Sequence, residues 1–200
     1  MESERKQYHH GSLREACISE GLRLLEEREG GDFSLRDIAK SLGVSHGAPY
    51  NHFKSKEDIC IAYLQERHTF LMCALADYTK GKEQGKAQLL GIFDFLREFY
   101  RQDDFYGCWA IKTFCELPAE NQKISGTIQQ HKKELLLFLG ELVQDNFFNV
   151  SKAEAERISG GLYMLYESAI TESHLHKNDW PIHMARRIAP LLLSEIKAIA

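Results

Sequence analysis

Proline is scarce in this chain: four in 200 residues (Pro49, Pro118, Pro181 and Pro190), so little interrupts helix formation. Alternating apolar–polar runs of the kind that make strands are equally sparse. No window holds 18 successive apolar residues, so no membrane span is expected. The first 25 residues have no apolar run and carry charge throughout (Glu2, Glu4, Arg5, Lys6, Arg14, Glu15), which argues against a secretory leader. The five cysteines (Cys17, Cys60, Cys73, Cys108, Cys115) form no CxxC. An odd count without a leader points to reduced thiols in the cytoplasm, most of them small core residues.

Positive charge is not in excess. Lys and Arg number 25 against 29 Asp and Glu, for a net charge of -4. A nucleic acid would therefore be met by a local patch, not by the whole surface. GxSxG, GxGxxG after a strand, P-loop and HExxH are all missing, so no enzyme class and no cofactor is indicated. His174 and His176, with His183 nearby, complete no tetrahedral ligand set, and residues two apart do not share a helix face. No metal is expected. With 44% hydrophobic and 27% charged residues the composition is that of a folded globular protein.

What remains is helix after helix. Ser12 with Glu15 predicts a capping box for a first helix to about Glu27, ended by Gly30-Gly31. Ser34 and Asp37 open a short second helix whose inner face is Leu35, Ile38, Ala39 and Leu42, and Gly43 stops it. A third short helix is predicted from Ser45 to about His52. Ser55 caps a longer fourth, with Ile59, Tyr63, Phe70 and Leu71 inward, fading before the polar loop 80–85. Five further helices are expected at about 86–102, 107–117, 120–148, 152–175 and 181–199. The strongest period is Ile124, Ile128, His131, Leu135, Phe138 and Leu142. Ser151 with Glu154 is another capping box. The division falls near residue 55, with an N-terminal bundle over 1–55 and a larger helical domain over 56–200.

The informative run is Phe33 to Asp58, FSLRDIAKSLGVSHGAPYNHFKSKED. Two short helices joined at Gly43 fit a helix-turn-helix. Ala39 is small where the helices pack closely, and Gly43 supplies the turn that a Cβ would strain. Leu42 and Val44 plug the underside, which turns Ser45, His46, Gly47, Ala48, Tyr50, Asn51 and His52 outward as a recognition face. Small residues at 47 and 48 let backbone approach a groove. The hydroxyls of Ser45 and Tyr50 and the His52 imidazole suit phosphate oxygens. Between 34 and 56, Arg36, Lys40, Lys54 and Lys56 stand against Asp37, a local net of +3.

VSHGAPYNHFKSKEDI, preceded by FSLRDIAKSLG, resembles the DNA-binding domain of the tetracycline-repressor (TetR) family of transcriptional regulators, over about residues 10–60. The resemblance implies an all-α homodimer of about nine helices: an N-terminal three-helix helix-turn-helix bundle, then a C-terminal helical domain for effector binding and dimerisation. It places phosphate contacts on Ser34, Ser45, Tyr50, His52, Lys54 and Lys56, and base-edge readout on Arg36, His46, Gly47 and Ala48. Pro49 departs from the pattern, standing where the family more often has a bulky aliphatic residue. In a first helical turn it loses little hydrogen bonding. The N-terminal arm, with Arg5 and Lys6, is a further candidate for contact with DNA.

Beyond residue 60 lie 17 of the 21 aromatics. Most are core at helical spacing. Trp109, Phe138, Tyr163 and Tyr166 are the candidate walls of an effector pocket, with Glu116 and Glu167 as polar anchors if buried. Cys108 and Cys115, seven apart after Gly107, read as one helix face where the dipole favours thiolate. The last two helices are expected to pack on their symmetry mates, with Gly160-Gly161, Ala155, Ala169, Ala185 and Ala189 allowing close approach. The function implied is a cytoplasmic, non-enzymatic repressor released from a palindromic double-stranded DNA operator by a small-molecule effector. The alternative is a helical small-molecule-binding or thiol-sensing protein in which DNA binding is absent or needs a protein partner.

Overall fold

The computed structural model describes residues 10–27, 33–102, 105, 107–116 and 121–193. Arg5, Lys6, Gly30, Gly31, Ile196 and the Glu116 side chain lie outside that set. Among the described residues there are helices and no strand: α1 (His10–Glu27), α2 (Leu35–Leu42), a 3-10 turn (Pro49–Asn51), α3 (Lys56–Lys80), α4 (Lys86–Tyr100), α5 (Trp109–Glu116), α6 (Gln122–Asn146), α7 (Lys152–His176), α8 (Trp180–Ile188) and a closing 3-10 turn (Ala189–Leu193). The all-α class holds, and the expected nine helices correspond to eight α-helices and two 3-10 turns.

Contacts divide the chain into two compact units, residues 1–68 with 110–129 and residues 69–109 with 130–200. In the first unit, α1 packs on α2 and on the 3-10 turn. Cys17, Ile18, Leu24 and Leu25 of α1 meet Leu35, Ile38 and Ala39 of α2 and Ile59 of α3 in the buried interior. α1 passes so close to α3 at Gly21 that a Cβ there would stand 2.8 Å from Ile59 Cγ2. α1 starts two residues before the expected cap, so Ser12 lies inside its first turn. α3 buries Ile59, Cys60, Leu64, His68, Leu71 and Leu75. These recur every three to four residues, and Phe70 falls off that stripe and is exposed, contrary to expectation.

The second unit is built on Phe93, Leu96, Leu139, Ile158, Leu162 and Tyr166, all nearly inaccessible. Burial of each such side chain contributes about 1.5–3 kcal/mol. α7 carries the expected capping box, with Ser151 Oγ accepting from the Glu154 N–H and Glu154 reaching back to the Ser151 N–H. The last helix is shorter than predicted. α8 ends at Ile188 and continues as a 3-10 turn, because Pro190 has no N–H to offer the carbonyl four residues back.

Two polar ties close this unit. Asp94 of α4 accepts two hydrogen bonds from Arg186 of α8, at 2.8 and 3.1 Å. Asn146, at the end of α6, accepts from the Gly85 N–H at 2.5 Å and donates to Gln88 Oε1 and the Leu142 carbonyl. Most of the small residues expected at a symmetry contact lie in the chain's own core. Ala155, Ala169, Ala185 and Ala189 are buried, and a Cβ on Gly161 would stand 2.8 Å from Leu192 Cδ1. Gly160 alone of these has open space beside it.

Candidate nucleic-acid interface

The candidate interface lies within the first unit and starts from α2. Ser34 is extended (φ -124, ψ 164), and its Oγ accepts from the Asp37 N–H while Asp37 accepts from the Ser34 N–H at 2.8 Å. This capping box satisfies amides that the first turn leaves bare. At the other end Gly43 is left-handed (φ 69). Its N–H donates to the Lys40 carbonyl at 3.3 Å and the Val44 N–H donates to the Ala39 carbonyl at 3.0 Å, the paired bonds of a Schellman ending. The chain leaves α2 in a fixed direction, so backbone geometry aims the segment from Ser45 onward.

That segment is not the short helix expected over 45–52. It is a turn at 46–48 and a 3-10 turn at Pro49–Asn51. The bonds run over three residues: Ala48 N–H to the Ser45 carbonyl, Asn51 N–H to Ala48, His52 N–H to Pro49. Pro49 has no N–H, so the bond an α-helix would make to Ser45 is unavailable. Two buried residues hold the segment in place. Pro49 points inward, and Phe53 is 5% exposed, its N–H donating to the Pro49 carbonyl at 3.0 Å and its ring lying under the Arg14 guanidinium.

Between these anchors Ser45, His46, Gly47, Tyr50 and Asn51 are exposed. Ala48 and His52 are half-buried. Arg36 projects from α2 into solvent, as do Lys40 and Ser34. Lys54 is exposed and its backbone N–H donates to Asp58. Lys56, half-buried, lies over the Phe33 ring. Arg36, Lys40 and Lys54 make no ion pair among the described residues. Arg23, by contrast, is committed to Glu20 and Glu27, and the Glu20 carboxyl is held below its usual range first by the Arg23 hydrogen bond. The arrangement can present hydroxyls, an imidazole and unpaired cations to a polyanion.

The second unit holds the pocket candidates. Trp109, Phe138 and Tyr163 are half-buried against the core and Tyr166 is buried. A cleft of about 480 Å³ between α6 and α7 is lined by Leu136, Leu137, Gly140, Ala155 and Ser159, among others, and by none of those four aromatics. Glu167 is buried enough to serve as an anchor, at 15% side-chain exposure, and it is paired: Lys132 Nζ lies 2.6 Å from each of its oxygens. The same Nζ lies 3.4 Å from Cys108 Sγ. Sequence reasoning misses this contact, since the partners stand 24 and 35 residues from Lys132. It also puts Cys108 on a helix with Cys115. α5 begins one residue later, at Trp109, and Cys115 lies exposed in the other unit. Among the described residues no helix is long and apolar enough to cross a membrane, and no group of three His, Cys, Asp or Glu could hold a metal.

Residues 18–63 match the family model described as bacterial regulatory proteins, tetR family. No curated protein matches the chain. Among solved structures, a TetR-family transcriptional regulator from Streptomyces coelicolor superposes with a TM-score of 0.75 at 16% identity, over 94% of this chain and 96% of that one. A TetR transcriptional regulator from Chloroflexus aurantiacus gives 0.73 at 18% identity, over 96% and 98%. A TetR-family regulator from Cytophaga hutchinsonii gives 0.73 at 16%, over 98% and 100%.

Proposed function

We propose that this chain, a member of the tetR family by its helix-turn-helix segment and its fold, is a homodimeric repressor. In this reading residues 1–55 bind one half of a palindromic operator and residues 56–200 dimerise and take up a small-molecule effector. The carrying observation is the exposed set Ser45, His46, Gly47 and Tyr50, presented beyond the Gly43 turn, beside Arg36, Lys40 and Lys54, which make no ion pair among the described residues. Ser34, Ser45, Tyr50, His52, Lys54 and Lys56 contact phosphates, and Arg36, His46, Gly47 and Ala48 face base edges.

A second copy has a place to dock. Gly160, Met164, Thr171 and Leu175 recur along one face of α7, with Met164 and Leu175 about two-thirds exposed. Met184, Ile188 and Leu191 continue the exposed apolar surface beyond α7. An apolar surface of this kind on a monomer marks an association site. Two-fold pairing there gives two reading segments, which suit half-sites about one helical turn apart. Effector uptake, walled by Trp109, Phe138, Tyr163 and Tyr166, acts through α3, which runs through both units. A coupling of about 1–3 kcal/mol is enough to change operator occupancy.

The test is selection of duplexes from a random pool by the purified, reduced protein at moderate salt. Enrichment of an inverted repeat is the expected result. A folded dimer that enriches nothing overturns the reading and favours a helical small-molecule-binding protein without DNA affinity.

A further inference from the structure

We infer that the cleft face of α6 and α7 takes a second copy of this chain, in antiparallel two-fold register about Leu137. The contact is separate from the α7–α8 surface and joins one dimer to another. The joining of dimers rests on the reading above, and the face itself does not.

The face is built on α6. Gln130, Lys133, Leu137, Glu141 and Gln144 recur three to four residues apart, which keeps them on one side of the helix, and all five are exposed. Leu137 stands at the centre, 55% exposed, while Leu135 and Leu139 on either side of it are buried. Beside it opens the cleft of about 480 Å³. The cleft exists because Gly140 and Ala155 bring almost no side chain to the seam between the helices. A Cβ on Gly140 would find nothing nearer than Ser159 Oγ at 3.8 Å. A single exposed leucine is ordinary on a protein surface. A leucine next to an apolar hole is half of a knobs-into-holes contact, and an identical helix supplies the other half.

The charges identify the occupant. Lys133 stands four residues before Leu137, and Glu141 four after. The neighbouring Lys132 and Lys152 are paired with Glu167 and Glu156, whereas Lys133 and Glu141 make no ion pair among the described residues. In an antiparallel pair whose two-fold axis passes Leu137, a residue n positions before it meets the partner's residue n positions after it. Lys133 then meets the partner's Glu141 at both ends of the contact. Seven positions out, Gln130 meets the partner's Gln144, and side-chain amides both donate and accept. Gln130 donates to Glu134 at 2.8 Å, which leaves its second N–H and its carbonyl oxygen for that pairing. A parallel arrangement would set like charges together and is disfavoured. This face of α6 is therefore complementary to its own reverse, a property that a second copy uses.

The contact does not reuse the apolar surface already described. On α7 the cleft is lined by Lys152, Ala155, Glu156 and Ser159, and neither Met164 nor Leu175 takes part in it.

The experiment is sedimentation of the full chain over rising concentration, for the wild type, Lys133→Glu, Glu141→Lys and an equimolar mixture of those two variants. Both positions are exposed, so each variant should keep the wild-type melting temperature. The wild type is expected to form a species larger than a dimer. Each variant alone sets like charges together at two places and should weaken that step about tenfold. The mixture should regain it, because a mixed pair restores opposite charges at both places. Leu137→Glu should abolish it. Single variants that associate as the wild type does, or a mixture that stays as weak as its parts, overturn the register and with it a second copy as the occupant. A wild type that stops at a dimer insensitive to all three substitutions overturns the face outright. If Lys133→Glu and Met164→Glu both leave only monomer, the two surfaces are one contact, and a separate one is overturned. If Met164→Glu leaves the dimer intact while Lys133→Glu breaks it and mixing restores it, the α6 face stands and the dimer contact of the regulator reading fails.

Discussion

Tyr50 is 48% exposed, beside the buried Pro49. It has little packing to lose, so Tyr50→Phe isolates its hydroxyl. One hydrogen bond to phosphate contributes about 0.5–1.5 kcal/mol. Affinity for every duplex should fall together, by roughly two- to tenfold, in a titration over several sequences. Arg36→Ala should act differently. If the guanidinium reads a base edge, preference at one position of the operator relaxes by about 1–3 kcal/mol. Repeating the pool selection with the variant shows it, and an unchanged profile sinks the assignment. Asn146 is the contrasting case, a residue with no exposure whose amide holds the Gly85 N–H and two acceptors. Asn146→Leu leaves that N–H buried without an acceptor and should cost about 1–3 kcal/mol in denaturant unfolding. A stability change below a few tenths of a kcal/mol would show the tie to be dispensable.

At the scale of the element, α2 is legible in the sequence almost to the residue. Ser34, Asp37 and Gly43 are local signals, and local signals survive into the fold. Gly43→Ala keeps the space, since nothing lies within 4 Å of a Cβ there, but forces a left-handed φ on a residue that resists it. The expected cost is about 1–2 kcal/mol, read as a lower melting temperature. The period of α6 is legible for the same reason, with Ile124, His131, Leu135 and Leu142 all buried. Three things are not legible. Pro49 reads as a tolerated first-turn residue, whereas the missing bond to Ser45 decides for a 3-10 turn. Phe70 reads as inward on its hydrophobicity, although the stripe through Leu64, His68 and Leu71 has no room for it. The Lys132, Glu167 and Cys108 cluster leaves no local pattern, because three separate segments bring it together.

For the molecule as a whole, the exposed Met164 and Leu175 on one face of α7 make a test of the proposed dimer, in which Met164→Glu would place repelling charges across the two-fold contact. Sedimentation should show monomer at concentrations where the wild type is a dimer, and operator affinity should collapse while isolated half-sites bind as before. A variant that stays dimeric would move the contact elsewhere. With a net charge of -4 beside a local +3, the proposed complex would meet DNA in one orientation and repel it in others, so affinity should fall steeply with salt. The 3-10 turn has a consequence for how such a protein diversifies. In the segment 46–53 that contains it, the inward positions, Pro49 and Phe53, are set apart from the outward ones, His46, Gly47, Tyr50 and Asn51. If that segment reads DNA as proposed, sequence drift at the outward set would rewrite which operator is chosen while the melting temperature stays level, and the inward set could be frozen without freezing specificity.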